Sequence, residues 1–208
     1  MTTGAVFPAE TVLSDGSVYR VVPVETGVRA IRAWVEHPWP MSPAQALALR
    51  DRLGWTSSLT NERMFTTDHG IGEKDASFNT IEAGGDTRTV SSFHLSLTSR
   101  IPKPVRAEAV PTAGRAFDAY VEALTAVYGQ GKRSRNRGVL SVKWTLPSDT
   151  LVNIGTIGRV VSVDVNSPAL NEAARGEAQY FAEIADENDV PYIDIDNPDS
   201  IDIDNPDS

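Results

Sequence analysis

The sequence predicts an α+β fold: an antiparallel sheet of about five to six strands with helices packed mainly on one face, followed by an acidic C-terminal tail. Apolar residues recur at helical spacing in four segments and alternate with polar residues in five or six others. The strands are grouped between helices and joined by short links, which favours antiparallel pairing. We expect an N-terminal extension over residues 1–27, one domain over residues 28–185 and the tail over residues 186–208.

Two helices are expected at the start of the domain. Apolar residues that share one helical face indicate the first: Val28, Ile31, Trp34 and Val35. The second begins at Ser42, because Pro43 at the first helical position and Gln45 three residues after the cap complete an S-x-x-Q capping box. It ends at Gly54, a residue suited to the left-handed conformation that closes many helices.

After these helices the apolar period changes from that of a helix to that of a strand. Phe93, Leu95 and Leu97 alternate with polar residues. The Gly84-Gly85-Asp86 turn separates them from a second alternating segment around Phe78, which predicts a hairpin. Three further strands are expected at residues 139–146, 151–157 and 160–165.

Two more helices complete the expected order. The first spans residues 112–128 and ends at Gly129. The second begins at Ser167, and its apolar residues include Phe181 and Ile184. With helices mainly on one side of the sheet, the other face is expected to be either solvated or available to a partner.

The net charge of the chain lies in its tail. The sequence has 28 acidic and 19 basic residues, and nine of the carboxylates but no Lys or Arg fall in residues 186–208. The remainder is therefore neutral. The tail ends in two copies of IDIDNPDS, at residues 193–200 and 201–208. Its charge and prolines favour an acidic disordered tail, the perfect repeat favours a sequence-duplication scar, and the alternation of Ile and Asp is compatible with an added edge strand.

Two groups of residues are candidates for binding. Trp39, between two prolines, is either packed in the core or a contact anchor for a protein partner. Carboxylates of the tail are expected to bind the same partner: Asp194, Asp196, Asp199, Asp202, Asp204 and Asp207. The second group is a run of four cations: Lys132, Arg133, Arg135 and Arg137. This run is either a solvated connection between a helix and a strand, or a site for an anion or for the chain's own tail.

No residue pattern indicates catalysis, and we expect a non-enzymatic protein without cofactor or metal. The sequence has no cysteine, and His37, His69 and His94 lack metal-ligand spacing, so we expect them to be surface or capping residues. Glycine-rich phosphate-binding motifs are absent from the sequence. The Asp spacing of the tail departs from a calcium-binding loop, because the tail has no glycine at the turn position.

The composition also argues against two kinds of partner. Nucleic acid is not expected to bind the body of the protein, because phosphate binding depends on clustered Lys and Arg and the body is neutral. A membrane is not expected either, since no apolar run approaches the ~18 residues of a spanning helix. The first ten residues lack a signal-peptide pattern, so the cytoplasm is the expected location.

The segment WVEHPWPMSPAQALALRDRLGW, the alternating strands, the FDAYVEALTAVYG helix and VLSVKWTL together carry a family resemblance. Over roughly residues 28–166 the chain resembles an actinobacterial family of unknown function that is often encoded beside secreted polymorphic toxins. The resemblance implies an immunity-type role, in which the protein binds and blocks a cognate toxin. Two alternatives remain: a secretion chaperone or adaptor, and an acidic decoy whose tail mimics nucleic acid.

Overall fold

The computed structural model describes residues 9–84 and 87–188 of the chain. Contacts divide the chain into two units, Met1–Asn171 and Glu172–Ser208. The helices are α1 (Val24–Val35), α2 (Pro43–Arg52), the 3-10 helix η1 (Lys103–Val105), α3 (Arg106–Tyr128) and α4 (Pro168–Asn188). The strands are β1 (Glu10–Val12), β2 (Val18–Arg20), β3 (Thr56–Ser57), β4 (Met64–Thr66), β5 (Ala76–Glu82), β6 (Arg88–Ser96), β7 (Lys132–Asn136), β8 (Val139–Thr145), β9 (Leu151–Thr156) and β10 (Val161–Asn166).

The fold is α+β, and its main sheet is larger than the five to six strands expected. Eight antiparallel strands follow the order β3-β4-β5-β6-β10-β9-β8-β7, and β1 and β2 form a separate pair. Strands β3 and β4 have two and three residues, which is too short to show an apolar period. Strand β7 reads KRSRN and has no apolar residue. These strands are held by backbone hydrogen bonds to their neighbours, and such bonds cannot be predicted from the spacing of apolar residues.

One face of the main sheet carries the core of unit 1. Alternate residues of β9 and β10, such as Ile154 and Val163, are fully buried on this face. Helices α1, α2 and α3 pack against the sheet. The largest fully buried side chains are Trp34, Tyr19, Tyr120, Phe65, Phe93 and Phe117.

The segment before residue 28 contributes to this core. Leu13 and Tyr19, in and beside the β1–β2 hairpin, are buried in the same apolar cluster as the sheet. The Val22 N–H donates a hydrogen bond of 2.9 Å to the Leu97 carbonyl. The segment expected to be an N-terminal extension is therefore packed into unit 1 from Leu13 onwards. Strands β1 and β2 have only three residues each, so the sequence shows no alternation of apolar and polar residues that would predict their packing.

The capping box that the sequence predicts at the start of α2 is confirmed. The Gln45 N–H donates to Ser42 Oγ at 3.3 Å, and the Ser42 N–H donates to Gln45 Oε1 at 2.8 Å. Gly54 follows the helix with a φ of 75°, in the left-handed region. The local signals of this sequence segment are thus sufficient to define both ends of the helix.

Helix α3 begins at Arg106, earlier than the residue 112 expected from the sequence, and includes Pro111. Proline lacks an N–H group and usually ends a helix, so the sequence favours a connection there. Ala109 and Ala113 on either side of the proline are fully buried. Their packing offsets the hydrogen bond that the proline removes.

Candidate interaction surfaces

Helix α4 exposes aromatic side chains within unit 2. Tyr180 and Phe181 are each 60% exposed, and their ring centroids lie 5.8 Å apart in an edge-to-face arrangement. The apolar stripe that the sequence predicts on this helix includes Phe181 and Ile184, and both are exposed. Large exposed aromatic side chains are typical anchors of protein interfaces. They make α4 a candidate surface for binding another protein.

Trp39 lies half-buried at an apolar pocket of about 720 Å³ in unit 1. It packs against the core, and Pro38, Tyr128 and Leu146 also line the pocket. Trp39 Nε1 and Tyr128 Oη are shielded from solvent and have no hydrogen-bond partner among the described residues. Burial, assisted by the Glu36 carboxylate, raises the pKa of Tyr128 to about 12. Trp39 thus combines packing against the core with a position on an apolar surface.

The run of four cations forms the edge strand β7 and the turn after it, not a connection. All five residues of β7 are exposed, so the cations are solvated as expected. Successive side chains of a strand point to opposite faces, so Lys132 lies on one face of the sheet and Arg133 and Arg135 on the other. Arg137 lies in the turn to β8 with a φ of 46°. The strand therefore distributes the four cations over two faces and a turn.

The face of the sheet opposite the core carries a row of polar residues in register across six strands. His94 Nδ1 lies 2.8 Å from Asp164 Oδ1, and both side chains are partly exposed. His94 therefore lies on the polar side of its strand, as the sequence predicts. Neighbouring members of the row are paired across the sheet in the order Ser77, His94, Asp164, Asn153, Lys143 and Lys132.

This polar row borders a shallow groove of about 470 Å³. Asn153 Oδ1 is buried there without a hydrogen-bond partner among the described residues. The His94–Asp164 pair has the arrangement of two members of a catalytic triad, but none of the hydrogen bonds in the described part of the chain joins a hydroxyl group to His94. Among the described residues, the groove is therefore polar and does not contain the arrangement of a nucleophilic triad.

His69, which the sequence predicts to be a surface or capping residue, has a side chain that is only 5% exposed. Its ring meets Trp55 edge-on, with 5.9 Å between centroids. Burial lowers the pKa of His69, against the opposing effect of the Asp68 and Asp75 carboxylates. Asp75 is also buried, and its burial raises the pKa of that carboxyl despite hydrogen bonds donated by the Thr67 N–H and hydroxyl. This cluster lies in the segment that connects β4 to β5, and it packs against Trp55.

We expect His69 to make the free energy of unfolding decrease as the pH falls below 6.5. In the unfolded chain the imidazole takes up a proton near its ordinary pKa of 6.5, whereas burial keeps it neutral in the folded protein to a lower pH. His69→Phe removes this titration. The stability of the variant, measured by urea unfolding, should therefore decrease less between pH 6.5 and about 5.5 than that of the unchanged protein.

The neighbouring carboxyl supplies a control of opposite sign. Because the pKa of Asp75 is raised in the fold, the folded state takes up this proton first, and protonation adds stability as the pH falls towards 3.8. Asp75→Asn should lose that gain and keep the decrease that starts below pH 6.5. If the free energy of unfolding of His69→Phe and of the unchanged protein decreased equally between pH 6.5 and about 5.5, the lowered pKa of His69 would be contradicted.

The tail carboxylates expected to bind a partner lie outside the described residues. Within residues 9–84 and 87–188, no group of three or more His, Asp or Glu side chains is placed to hold a metal ion. None of the helices in that part of the chain combines the length and apolar character needed to cross a bilayer.

These features define an α+β domain with a polar sheet face, an apolar pocket at Trp39 and a helix with exposed aromatic residues. The chain belongs to a family of unknown function (DUF6301), which matches residues 25–167. The match runs from α1 through β10 and leaves the β1–β2 hairpin and all of α4 outside. Searches of curated proteins and of solved structures give no match.

Proposed function

We propose that the chain is a non-enzymatic protein-binding module, an immunity-type inhibitor that binds and blocks a cognate toxin in the cytoplasm. The observation that supports this most is the exposure of Tyr180 and Phe181 on α4. In the sequence, nine carboxylates without any Lys or Arg follow in residues 186–208. Aromatic anchors followed in the sequence by an anionic segment suit a partner that has a basic surface and an apolar cleft.

The two features act on different steps of binding in this proposal. Anionic residues attract a basic partner over a distance and raise the association rate by roughly 10- to 1000-fold at low salt. They add little to the lifetime of the complex, because exposed ion pairs contribute only about 0–1 kcal/mol each. Aromatic side chains that become buried against the partner slow dissociation, and each such anchor contributes about 2 kcal/mol or more.

Binding kinetics test this division. The full-length chain is presented to the purified products of the genes adjacent to its own, and association and dissociation rates are measured by surface plasmon resonance. Deleting residues 186–208 should lower the association rate at least about tenfold at low salt, with little change in the dissociation rate. Removing one anchor, in Tyr180→Ser or Phe181→Ser, should raise the dissociation rate about 30-fold, and the double variant should raise it roughly 1000-fold.

Matched variants separate these effects from general damage. A chain whose tail carries the same residues in permuted order should recover the association rate, because steering depends on charge and not on sequence. Gly176→Ala, on the same helix and with open space around the added methyl group, should leave the dissociation rate unchanged. Failure of every adjacent gene product to form a complex or to lose toxicity would exclude the immunity role.

The nine carboxylates of the tail also favour a second candidate, an acidic decoy that mimics nucleic acid. The same deletion distinguishes the two. A decoy without residues 186–208 loses all ability to displace DNA from a basic protein, whereas the immunity protein keeps its complex and only forms it more slowly. A secretion chaperone or adaptor would bind the gene product without abolishing its toxicity.

A further inference from the structure

Three arginines line a small pocket at one end of the main sheet of unit 1. The pocket has a volume of about 240 Å³, and its walls contain no acidic residue. Its lining consists of three cationic and three aliphatic side chains: Arg100, Arg106, Arg159, Ile101, Ile157 and Val160. Ile157 and Val160 also line the polar groove on the sheet face opposite the core, so the pocket and the groove adjoin.

Separate elements bring the three arginines together. Arg100 follows β6, Arg106 is the first residue of α3, and Arg159 lies in the turn between β9 and β10. Contacts with the core hold two of these positions. The fully buried Tyr19 hydroxyl donates to the Arg159 carbonyl at 3.1 Å, and Arg106 Nε donates to the Ile101 carbonyl at 3.4 Å. The pocket is therefore built by the tertiary structure and not by one flexible loop.

The charge of this pocket is not compensated within the described residues. None of the three arginines has an ion pair there. Glu108, the carboxylate nearest to Arg106 along α3, instead accepts hydrogen bonds from the Ser14 N–H and hydroxyl. Three like charges around one pocket repel each other, and an anion between them removes this cost. The N-terminal end of the 23-residue helix α3 adds to the positive potential.

We infer that this pocket binds the phosphoryl group of a small molecule. Guanidinium groups present paired N–H donors that match the oxygens of phosphate, and a phosphate dianion balances three positive charges better than a carboxylate does. The aliphatic walls at Ile101, Ile157 and Val160 leave room for a small organic substituent. A volume of about 240 Å³ suits a single phosphoryl group with such a substituent and not a nucleic acid helix.

Calorimetric titration of the full-length chain tests the inference. Inorganic phosphate and glycerol phosphate are titrated separately, and the tighter of the two identifies the free anion or an organic phosphate as the preferred form. Binding should be one to one, and it should weaken with added salt. At a ligand concentration about 100 times Kd, the melting temperature should rise by about 5 °C or more.

Variants of the pocket make the test specific. Arg106→Gln and Arg159→Gln should each lower the affinity for phosphate about tenfold or more, while Arg52→Gln, an exposed arginine on α2 outside the pocket, should not change it. Without ligand, Arg159→Gln should melt no lower than the unchanged protein, because its carbonyl still accepts the hydrogen bond from Tyr19 and one of the mutually repelling charges is removed. Arg106→Gln loses the hydrogen bond to the Ile101 carbonyl, so its melting temperature without ligand is measured as its own reference. If either of them unfolds, Arg159→Lys replaces it: the charge stays, the paired donors are lost, and the affinity should still decrease.

Several results would overturn the assignment. Equal affinity for acetate and phosphate would show that the pocket does not select phosphoryl groups. Unchanged phosphate binding in Arg106→Gln and Arg159→Gln would place the anion elsewhere. Binding of a phosphopeptide or of single-stranded DNA without binding of either small phosphate would assign the surface to a macromolecule instead.

Discussion

Gly27→Ala is expected to lower the free energy of unfolding by about 3 kcal/mol, enough to reduce the melting temperature by about 10 °C. Gly27 lies on the buried face of α1, directly against the ring of Tyr120 in α3. A methyl group at this position would lie 2.7 Å from Tyr120 Cε1 and 2.8 Å from its Cζ, and closer still to the hydroxyl oxygen. Carbon atoms do not approach one another this closely, so the tyrosine or the helix must move.

Movement of Tyr120 is costly because the side chain is fully buried and hydrogen-bonded. Its hydroxyl donates to the Val22 carbonyl at 2.9 Å, on the segment that leads into α1. Displacement of the ring breaks this bond and leaves a buried carbonyl without its donor, which costs about 1–3 kcal/mol in addition to the overpacking. Gly27 is thus required by the close approach of α1 and α3 and not by its own backbone conformation.

Gly114→Ala provides the matched control, because it makes the same chemical change inside α3. The added methyl group meets no atom within 4 Å, and alanine is favoured over glycine in a helix by about 1 kcal/mol. The two variants should therefore shift the urea midpoint in opposite directions. If Gly27→Ala and Gly114→Ala both shifted the urea midpoint by the same small amount, α1 and α3 would not pack as closely as described.

Trp34→Ala is the second substitution with a large expected effect, a loss of about 3–5 kcal/mol. Trp34 in α1 is fully buried and stacks on Phe93 of β6 with 4.0 Å between ring centroids and 6° between ring planes. The ring centroid of Phe65 in β4 lies 6.3 Å from that of Trp34, in the same aromatic cluster. Truncation to alanine removes most of this contact area and leaves a cavity between helix and sheet, because the surrounding rings can close only part of it.

Trp39→Ala is the control for this prediction. The same substitution at the half-buried Trp39 removes a side chain that already borders solvent at the pocket beside Pro38, so it should cost less than half as much. Urea unfolding of both variants, with tryptophan fluorescence and circular dichroism as separate signals, gives the comparison. A loss for Trp39→Ala as large as that for Trp34→Ala would mean that Trp39 belongs to the core alone.

Several elements could be predicted from the sequence because their signals are local. The capping box at Ser42 places the start of α2, and the alternation around Phe93 places the hairpin of β5 and β6. The strand pattern near Trp144 places β8. In each case, a capping hydrogen bond or an alternation of apolar and polar residues within a short stretch of sequence is sufficient to indicate the conformation.

Other elements depend on distant residues and could not be predicted. Strand β7 has no apolar residue and exists because β8 pairs with it. His69 belongs to a polar tripeptide with Asp68 and Gly70, but packing against Trp55 buries it. Phe181 shows the reverse case, since its helical spacing indicates burial and its side chain is exposed.

By itself, the sequence determines the α+β class, the order of the main elements and the neutral body that precedes an acidic tail, because these follow from local periodicity and from charge counts. The tertiary structure alone decides which side chains meet. It joins Gly27 to Tyr120 and aligns six strands into one polar row. It also brings Arg159 to a single pocket with Arg100 and Arg106, which lie 53 or more residues earlier in the sequence. Contacts of that kind depend on how helices and strands pack in space, and a linear pattern of residue types carries no record of that packing.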